Sequence, residues 1–343
     1  MREVFYWQAI NEAMCEEMER DERVFLMGED VGFFGGAMRV SRDMYAKFGP
    51  KRVMDTPLAE TAIVGAALGA ALTGLRPIAE IMFVDFTAVC FDQIVNQVAK
   101  VRYMLGGQVT VPLVIRTQGA AGKSYAAQHS QSFEMLFAHF PGLKVVMPST
   151  PYDAKGLLKS AIREDNPIIF IEHGALYNSK GLIPDEEYLL PIGKADVKRE
   201  GTDVTITAHG RCALQAIEAA DRLQAEDGLS VEVVDLRTIS PMDEETIFRS
   251  VRKTGRLVCF EEGHRNIGVG AEVAARVVEN CFDYLDAPIV RVAAMDVPIP
   301  CARELEAAML PNVDKLVAAV RSLFGEHQMI QSGAAAASGR YVR

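Results

Sequence analysis

Short apolar runs alternate with amphipathic helical patterns along most of the chain. No other feature constrains the fold as much, because strands that alternate with helices form βαβ units, and these build a mostly parallel sheet with helices on both faces. In the first half, strands are predicted at 24–29, 76–83, 111–117, 143–148 and 167–172, and helices at 60–73, 87–105, 130–140 and 151–164. The first half is therefore expected to be a doubly wound α/β domain.

A second series follows residues 173–201, where glycine, proline and charged residues interrupt the pattern. It consists of strands near 203–208, 230–235, 256–261 and 288–294 and helices near 212–226, 243–252 and 270–281. A chain of 343 residues also exceeds the ~250 residues at which single cores usually stop growing. We therefore predict two tandem doubly wound parallel-sheet domains, 1–175 and 202–325, joined by a linker at 176–201. The low-complexity residues 326–343 are expected to be a disordered tail.

The charge balance and the cysteines limit the partners and the compartment. A net charge of −10 argues against nucleic acid, because phosphate binding requires a basic surface. The six cysteines are scattered without zinc-binding spacing, which is typical of free thiols in a reducing compartment. The acidic N-terminal stretch resembles neither a signal peptide nor a transit peptide, and no stretch is apolar and long enough to span a bilayer. We therefore expect a cytoplasmic protein that does not bind membranes.

Three glycine-rich stretches resemble phosphate-binding loops only loosely. "TQGAAGKSY" at 117–125 contains Gly-Lys-Ser, but a nucleotide phosphate loop requires G-x-x-x-x-G-K-[ST], and Thr117 occupies the position of its first glycine. "GEDVGFFGG" at 28–36 and "GVGAE" at 268–272 lack the full G-x-G-x-x-G pattern. Glycines at such turns more often allow tight turns or close packing.

Glu60 is the first candidate site residue, because it stands at the head of a long apolar helix. After this acid, no charged residue follows until Arg76. An acid in the first helical turn can simply complement the helix dipole, by ~0.3–1 kcal/mol. However, Gly65, Gly69 and Gly74 among alanines would let a backbone or a flat ligand approach closely, and dehydration there would raise the carboxyl's pKa into a useful range.

His129 and Phe86 are further candidates, each with an ordinary structural alternative. His129 precedes an expected helix with an apolar stripe of phenylalanines, and a helix N-terminus favours a neutral imidazole. The alternative is a histidine that acts as a polar helix cap. Phe86 lies at the carboxyl end of a predicted strand, where ligands bind in open α/β sheets, although core packing is the commoner role of a phenylalanine.

Several longer motifs together carry a family resemblance. They are "DTPLAE" at 55–60, "AAQHSQ" at 126–131, "HFPGLKVVMP" at 139–148, "KGLLKSAIREDNP" at 155–167, "LRTISPMD" at 236–243 and "DVPIPCARELE" at 296–306. With them the chain resembles the β subunit of the thiamine-diphosphate-dependent decarboxylating component of 2-oxo acid dehydrogenase complexes, of the pyruvate dehydrogenase type. "EHGALYN" at 172–178 is also similar to acetoin dehydrogenase β chains. The resemblance implies a transketolase-like pyrimidine-binding domain followed by a transketolase C-terminal domain.

The same resemblance implies a role for each candidate residue. Glu60 would hydrogen-bond a ring nitrogen of the cofactor's aminopyrimidine and favour its imino tautomer, which removes a proton from the thiazolium carbon. Phe86 would pack against the aminopyrimidine. His129 would transfer a proton during reductive acylation of the lipoyl group. Thiamine diphosphate itself would be the electron sink as carbon dioxide leaves the 2-oxo acid.

A structural potassium ion bound by backbone oxygens is also implied by the resemblance. The corresponding residues are Leu113, Ala161, Ile162, Glu164 and Asn166. Without the resemblance, water or a cap would be the ordinary partner of the carbonyls at the end of the predicted helix 151–164. Only Glu164 departs from relatives, some of which have aspartate there, and a carbonyl ligand tolerates that change.

The sequence contains no Gly-Asp-Gly, the motif with which the family's other chain holds magnesium and the cofactor's diphosphate. This chain would therefore supply only the aminopyrimidine end of the site and need an α subunit, in a heterotetramer of two α and two β chains. The second domain would contact the other β chain and the lipoyl-bearing acyltransferase core. Pyruvate is the expected substrate, with acetoin and branched-chain 2-oxo acids as alternatives. A non-catalytic α/β scaffold or binding module, with Glu60 and His129 as helix caps, is the alternative of a different class.

Overall fold

The computed structural model describes residues 1–324, so the tail predicted at 326–343 lies outside the described residues. The strands are β1 (Arg2–Phe5), β2 (Val24–Gly28), β3 (Val53–Asp55), β4 (Arg76–Phe83), β5 (Val114–Gly119), β6 (Lys144–Val146), β7 (Ile168–His173), β8 (Lys180–Ile183), β9 (Asp196–Arg199), β10 (Val204–Ala208), β11 (Val231–Asp235), β12 (Thr238–Ser240), β13 (Leu257–His264) and β14 (Val290–Ala294). The helices are α1 (Tyr6–Arg20), α2 (Met44–Phe48), α3 (Glu60–Leu72), α4 (Val101–Met104), α5 (Glu134–Ala138), α6 (Pro151–Arg163), α7 (Arg211–Asp227), α8 (Glu244–Thr254), α9 (Val269–Cys281), α10 (Arg303–Met309) and α11 (Val313–Ser322). None of these helices combines the length and the apolar character needed to cross a membrane.

The strands form two main sheets, which confirms the predicted pair of doubly wound α/β domains. The first sheet has the order β12-β6-β7-β5-β4-β2-β3, and all its neighbours are parallel except β12 and β6. The second has the order β14-β13-β10-β11-β9, with β9 as an antiparallel edge. Because β12 comes from the second half of the chain but closes an edge of the first sheet, the two domains are joined by strand pairing.

The segment predicted as a linker contains two strands. Strand β8 pairs with β1 in a separate antiparallel ribbon, and β9 pairs with β11. Each end of this segment is thus tied to a different sheet. The domain boundaries proposed from the sequence stay a prediction.

Local sequence signals explain several element bounds. Helix α6 follows Thr150, whose side chain accepts a hydrogen bond from the Asp153 N–H at 3.1 Å, and Pro151 is its first residue. Helix α8 ends at Thr254 and is followed by Gly255, which has the left-handed backbone (φ +67°) common after helices. Every residue of β7 is buried, as expected for a central parallel strand with helices on both faces.

Two predicted helices were wrong in extent. Of the helix expected at 130–140, only α5 (Glu134–Ala138) forms. The segment before α5 is held by a tertiary hydrogen bond instead, in which the carbonyl of Gln131 accepts from the Ala120 N–H at 2.9 Å. His129 therefore lies in a turn and not at a helix N-terminus. The helix expected at 87–105 is divided into a 3₁₀ segment (Val84–Ala88), a π-helical segment (Gln93–Val98) and α4.

Both sheets have a point at which the chain reverses its direction of winding. In the first sheet it lies between β2 and β4, and in the second between β10 and β13. In open α/β sheets, ligands bind beyond the carboxyl ends of the strands at such points. The fold therefore offers two equivalent positions for a site, one in each domain.

Candidate active site

Glu60 lies at the carboxyl edge of the first sheet, as the first residue of α3. The Thr61 hydroxyl donates to the carbonyl of Val89 at 3.1 Å, so the start of α3 is attached to the segment that follows β4. One face of the helix is buried in the core and consists of Ile63, Val64, Ala67 and Ala71. A side chain added at Gly69 would meet nothing within 4 Å, so the helix also has an open face of small residues.

Phe86 and His129 lie in contact at the same edge. Phe86 belongs to the 3₁₀ segment directly after β4, which confirms its predicted position at the carboxyl end of a strand. The centroid of the His129 ring lies 5.1 Å from that of Phe86 and 4.8 Å from that of Phe83, edge to face in both cases. Tyr125 lies 6.0 Å from Phe83. Both Phe86 and His129 are only partly buried, so each keeps a surface available to a ligand.

Glu29 is a carboxylate at this edge that the sequence analysis missed. It follows β2 directly and is 5 % exposed, and its Oε1 has no hydrogen-bond partner among the described residues. Burial, and after it the negative charge of Glu60, raises the pKa of the Glu29 carboxyl. Its position at the end of a predicted strand is the signal in the sequence that points to it, whereas the glycines of 28–36 do not.

The three residues predicted from the sequence therefore lie at one edge of the first sheet, although they come from separate segments of the chain. Glu60 is partly buried. Burial, and to a smaller degree the charge of Glu60, raises the pKa of the Cys90 thiol to about 12, so this neighbouring cysteine is a thiol and not a nucleophile at neutral pH. The complete dehydration expected for Glu60 stays a prediction, because it requires a further surface over the site.

The groups at this edge fit a flat, polar heterocycle. Glu60 offers a carboxyl to a ring nitrogen, Phe86 offers an aromatic face, and the unpartnered Oε1 of Glu29 adds buried hydrogen-bonding capacity. Two further buried oxygens without a partner among the described residues, Asp85 Oδ2 and Ser130 Oγ, belong to the segments that carry Phe86 and His129. Unpaired buried polar atoms are rare in proteins and commonly mark a place that a ligand or water completes.

The five positions predicted for potassium lie elsewhere, around the end of α6 and the start of β7. Arg76 donates from Nε to the carbonyl of Ile162 at 2.9 Å and from Nη2 to that of Glu164 at 2.7 Å. The carbonyls of Ala161 and Leu113 accept from the backbone N–H groups of Glu164 and Ile168. Each oxygen keeps a second lone pair, but a bound cation would have a guanidinium as its neighbour. Potassium binding stays a prediction, and residues 1–324 contain no cluster of three or more His, Cys, Asp or Glu suited to a metal ion.

At the second switch point, the chain supplies its own hydrogen-bond acceptor. The Glu261 carboxylate, on β13, accepts hydrogen bonds from the N–H groups of Val269 and Gly270 at 2.7 and 2.8 Å, at the start of α9. A side chain at Gly268 or Gly270 would collide with this carboxylate, at 2.6 and 2.8 Å. The glycines of "GVGAE" therefore make room for Glu261, and no phosphate can take the same N–H groups.

Two histidine–carboxylate pairs lie beside Glu261 between the domains. His209 Nε2 is 3.2 Å from Glu134 Oε1, and His173 Nε2 is 3.0 Å from Glu262 Oε2. Burial would lower the pKa of His209, but the hydrogen bond to Glu134 and the surrounding negative charge outweigh it, so the pKa is raised. For Glu261, burial is the largest influence and raises the pKa of the carboxyl to about 7. The two pairs satisfy most of their own polar atoms, and Glu134 Oε2 is the one carboxylate oxygen of these pairs without a partner among the described residues.

Comparisons with known proteins agree with this architecture. Residues 2–180 match the transketolase pyrimidine binding domain, and residues 193–316 match the transketolase C-terminal domain. A solved structure described as a split gene transketolase, an inactive β4 tetramer, has a TM-score of 0.75 at 25 % identity and covers 93 % of this chain and 98 % of its own. The fold is therefore that of a two-domain transketolase-type chain.

Curated relatives define the family more closely. The β subunit of 2-oxoisovalerate dehydrogenase from Bacillus subtilis is 50 % identical over 93 % of this chain and 98 % of its own length. The β subunit of acetoin:2,6-dichlorophenolindophenol oxidoreductase from the same species is 48 % identical over 93 % and 96 %. The mitochondrial β subunit of the bovine pyruvate dehydrogenase E1 component is 48 % identical over 92 % and 89 %. The chain belongs to the E1 β subunit family of thiamine-diphosphate-dependent 2-oxo acid dehydrogenases.

Proposed function

We propose that this chain is the β subunit of a pyruvate dehydrogenase, which carries out oxidative decarboxylation of pyruvate and reductive acylation of a lipoyl group on an acyltransferase. One observation carries the proposal: Glu60, Phe86 and His129 lie at the same carboxyl edge of the first sheet as Glu29, whose buried Oε1 has no partner among the described residues. A pyruvate dehydrogenase β subunit is 48 % identical to this chain, which supports pyruvate as the substrate.

Each of the three residues has one task in this proposal. Glu60 holds a proton shared with the aminopyrimidine ring nitrogen, because a carboxyl group that is shielded from water forms a strong hydrogen bond with a weakly basic ring. Phe86 orients that ring, and His129 holds or moves a proton near the lipoyl group. When bound, thiamine diphosphate supplies the electron sink for the decarboxylation.

The rest of the active site belongs to an α subunit in our proposal, within a heterotetramer of two α and two β chains. The α chain holds magnesium and the diphosphate, and it provides the surface that dehydrates the partly buried Glu60. The second domain contacts the other β chain and the acyltransferase core. An open apolar groove of about 760 Å³ beside α9, lined by Val278, Phe282 and Ile289, supports a protein contact there. We place the assembly in the cytoplasm, which cell fractionation would test.

A Glu60→Gln variant tests the catalytic assignment. The variant keeps the size of the side chain but cannot share the proton, so turnover with the α subunit should fall by about 100-fold or more. Assembly, measured by size-exclusion chromatography, should be unchanged. Glu245→Gln is the matched control: it also lies in the first turn of a helix, α8, with a side chain that is 80 % exposed. If Glu60→Gln turns over as fast as this control, the proposal is wrong.

Acetoin is the second candidate substrate, because "EHGALYN" at 172–178 resembles acetoin dehydrogenase β chains and an acetoin-type relative is 48 % identical. Branched-chain acids follow from the 2-oxoisovalerate relative. Measuring kcat/KM of the reconstituted assembly for pyruvate, acetoin and 2-oxoisovalerate decides among them. We expect the highest value for pyruvate, and a higher value for either other substrate would overturn that choice while leaving the family unchanged.

A further inference from the structure

The loop that leads from β5 to His129 has an unusual backbone. Ala120, Gly122, Ser124 and Ala126 all have left-handed φ angles, between +57° and +91°. Only one of the four is glycine, the residue that adopts this conformation without a steric penalty. Three strained residues so close together require contacts that hold the loop from outside.

Two carboxylates of the second domain provide those contacts. The Ala121 N–H donates to Glu262 Oε1 at 2.6 Å. The Gly122 N–H donates to Glu306 Oε1 at 2.9 Å, and the Ser124 N–H and hydroxyl donate to Glu306 Oε2 at 3.0 and 3.2 Å. A backbone that alternates between right- and left-handed conformations points successive N–H groups at one anion. The left-handed residues therefore turn the N–H groups of the loop towards the two carboxylates, and these hydrogen bonds in turn offset the strain of the left-handed conformation.

The hydrogen bonds of the Glu306 side chain are made with this loop. Glu306 is 3 % exposed, and within residues 1–324 its carboxylate has no arginine or lysine partner within 4.0 Å. All three hydrogen bonds that its side chain accepts come from the loop. Glu262 differs, because it also pairs with His173. Of the two carboxylates, Glu306 is thus the one whose removal would affect the loop most selectively.

The held segment is mechanically connected to the candidate site. The Ala120 N–H donates to the carbonyl of Gln131 at 2.9 Å, which closes the base of the loop. Between these two residues lie Tyr125, which contacts Phe83, and His129, which contacts Phe83 and Phe86. If residues 122–124 relax, the chain that carries His129 loses its fixed position beside Phe86.

We propose that Glu306 is a positioning residue: from the second domain, it holds the loop at 120–126 so that His129 stays at the aromatic edge of the first domain. This inference rests on the proposed function, since it concerns the step assigned to His129. Glu306 does not touch the reacting atoms. Its effect should therefore appear in the step that uses His129 and should disappear when His129 is absent.

A double-mutant cycle with Glu306→Ala and His129→Ala tests the coupling. In the assembly with the α subunit, Glu306→Ala should lower kcat for lipoyl-dependent turnover by about 10-fold or more, with decarboxylation coupled to an artificial electron acceptor reduced less than about threefold. In the His129→Ala background, the same change should have almost no further effect, because residues that act as a unit are not additive. Glu304→Ala, an exposed position on the same helix, is the matched control. Equal losses in both reactions, or full additivity, would overturn the proposal.

Hydrogen exchange of the assembly without cofactor gives a second readout that does not depend on activity. Amide exchange in peptides covering 120–129 should become faster in Glu306→Ala and stay unchanged in Glu304→Ala. Glu306→Gln, which retains an acceptor oxygen and guards against misfolding of the alanine variant, should give intermediate exchange and intermediate kcat. Unchanged exchange in both variants would show that Glu306 does not hold the loop. If exchange responds while Glu60→Gln is fully active, the proposed function fails and the contact between the domains stands.

Discussion

The two switch points of this molecule occupy equivalent places in two similar sheets, yet they differ in what fills them. At the second, Glu261 takes the N–H groups at the start of α9, and neighbouring histidines pair with Glu134 and Glu262. At the first, Glu60 and the rings of Phe86 and His129 are partly buried, and Glu29 has a buried oxygen without a partner among the described residues. The topology predicts a crevice in both places, but Glu60, Phe86 and His129 at the first keep surface exposed to a ligand, whereas Glu134, Glu261 and Glu262 at the second are buried.

This difference separates the use of acids for stability from their use for binding. A carboxylate that accepts backbone hydrogen bonds replaces a ligand, and its removal leaves orphaned donors inside the protein. A carboxylate such as Glu29, which lies near another negative charge and has an oxygen without a hydrogen-bond partner among the described residues, contributes little to the stability of the fold. Changes at the first edge should therefore reduce turnover and leave stability intact, and changes at the second edge should do the reverse.

The largest expected effect is that of His129→Ala on turnover. Loss of general acid–base help typically costs ~10²–10⁴ in rate, so lipoyl-dependent activity of the assembly should fall by that factor. The melting temperature should change little, because the side chain is only partly buried and its ring makes no hydrogen bond within residues 1–324. Steady-state kinetics and thermal unfolding on the same sample check both statements. Comparable activity of the variant and the parent would remove His129 from the site.

The reverse result is expected for Glu261→Ala at the second edge. The change leaves the N–H groups of Val269 and Gly270 without their acceptor, and it should lower the free energy of unfolding by about 2–3 kcal/mol. Chemical denaturation of the assembly measures this loss. Glu272→Ala is the matched control: it lies in the first turn of the same helix with a side chain that is 39 % exposed, and it should cost less than about 1 kcal/mol. Equal losses for the two variants would contradict the role of Glu261 as the acceptor of these two N–H groups.

The pH dependence of stability provides a smaller and sharper test of the same carboxylate. Because burial raises the pKa of Glu261 to about 7, the native state binds the proton more tightly than the unfolded state does. The stability from this group is fully present below its ordinary pKa and is lost as the pH rises through the raised value. Between pH 5.5 and 7.5, the stability of the parent should therefore fall by about 1–2 kcal/mol relative to that of Glu261→Gln, which does not titrate at this position. A difference that does not change with pH would mean that the carboxyl is not perturbed.

The periodicity of apolar residues predicted most of the strands and helices around the two switch points. It could do so because one face of each of these elements is buried in the core, and that face is visible in the sequence as an apolar pattern. It failed where distant contacts decide the conformation. Gln131 bonds to Ala120 and, through its side chain, to Asp85 at 2.9 Å, and these contacts hold the segment before α5 out of a helix. Strand β12 was missed for a related reason, since three residues become a strand only by pairing with a distant edge.

The candidate site was predictable in part. Glu60, Phe86 and His129 were chosen from motifs and from the ends of predicted elements. Glu29 lies at the end of a predicted strand and was open to prediction. Tyr125 becomes relevant only when separate loops meet, and the contacts between Glu306 and the loop at 120–126 join residues more than 180 positions apart. Such contacts leave no local pattern, because neither partner needs a particular neighbour in the sequence.

The smallest expected effect concerns the predicted potassium site, where the guanidinium of Arg76 already occupies part of the place of a cation. Arg76 already bonds to two of the five predicted carbonyls, so a potassium ion would add only to the remaining lone pairs. Replacing choline with potassium should raise the melting temperature by only about 1–3 °C, which corresponds to about 1 kcal/mol or less. Arg76→Gln removes the competing positive charge, and it should enlarge the stabilisation by potassium relative to sodium. If neither protein distinguishes potassium from choline, the carbonyls are satisfied within the chain, as the helix N-terminus beside Glu261 is.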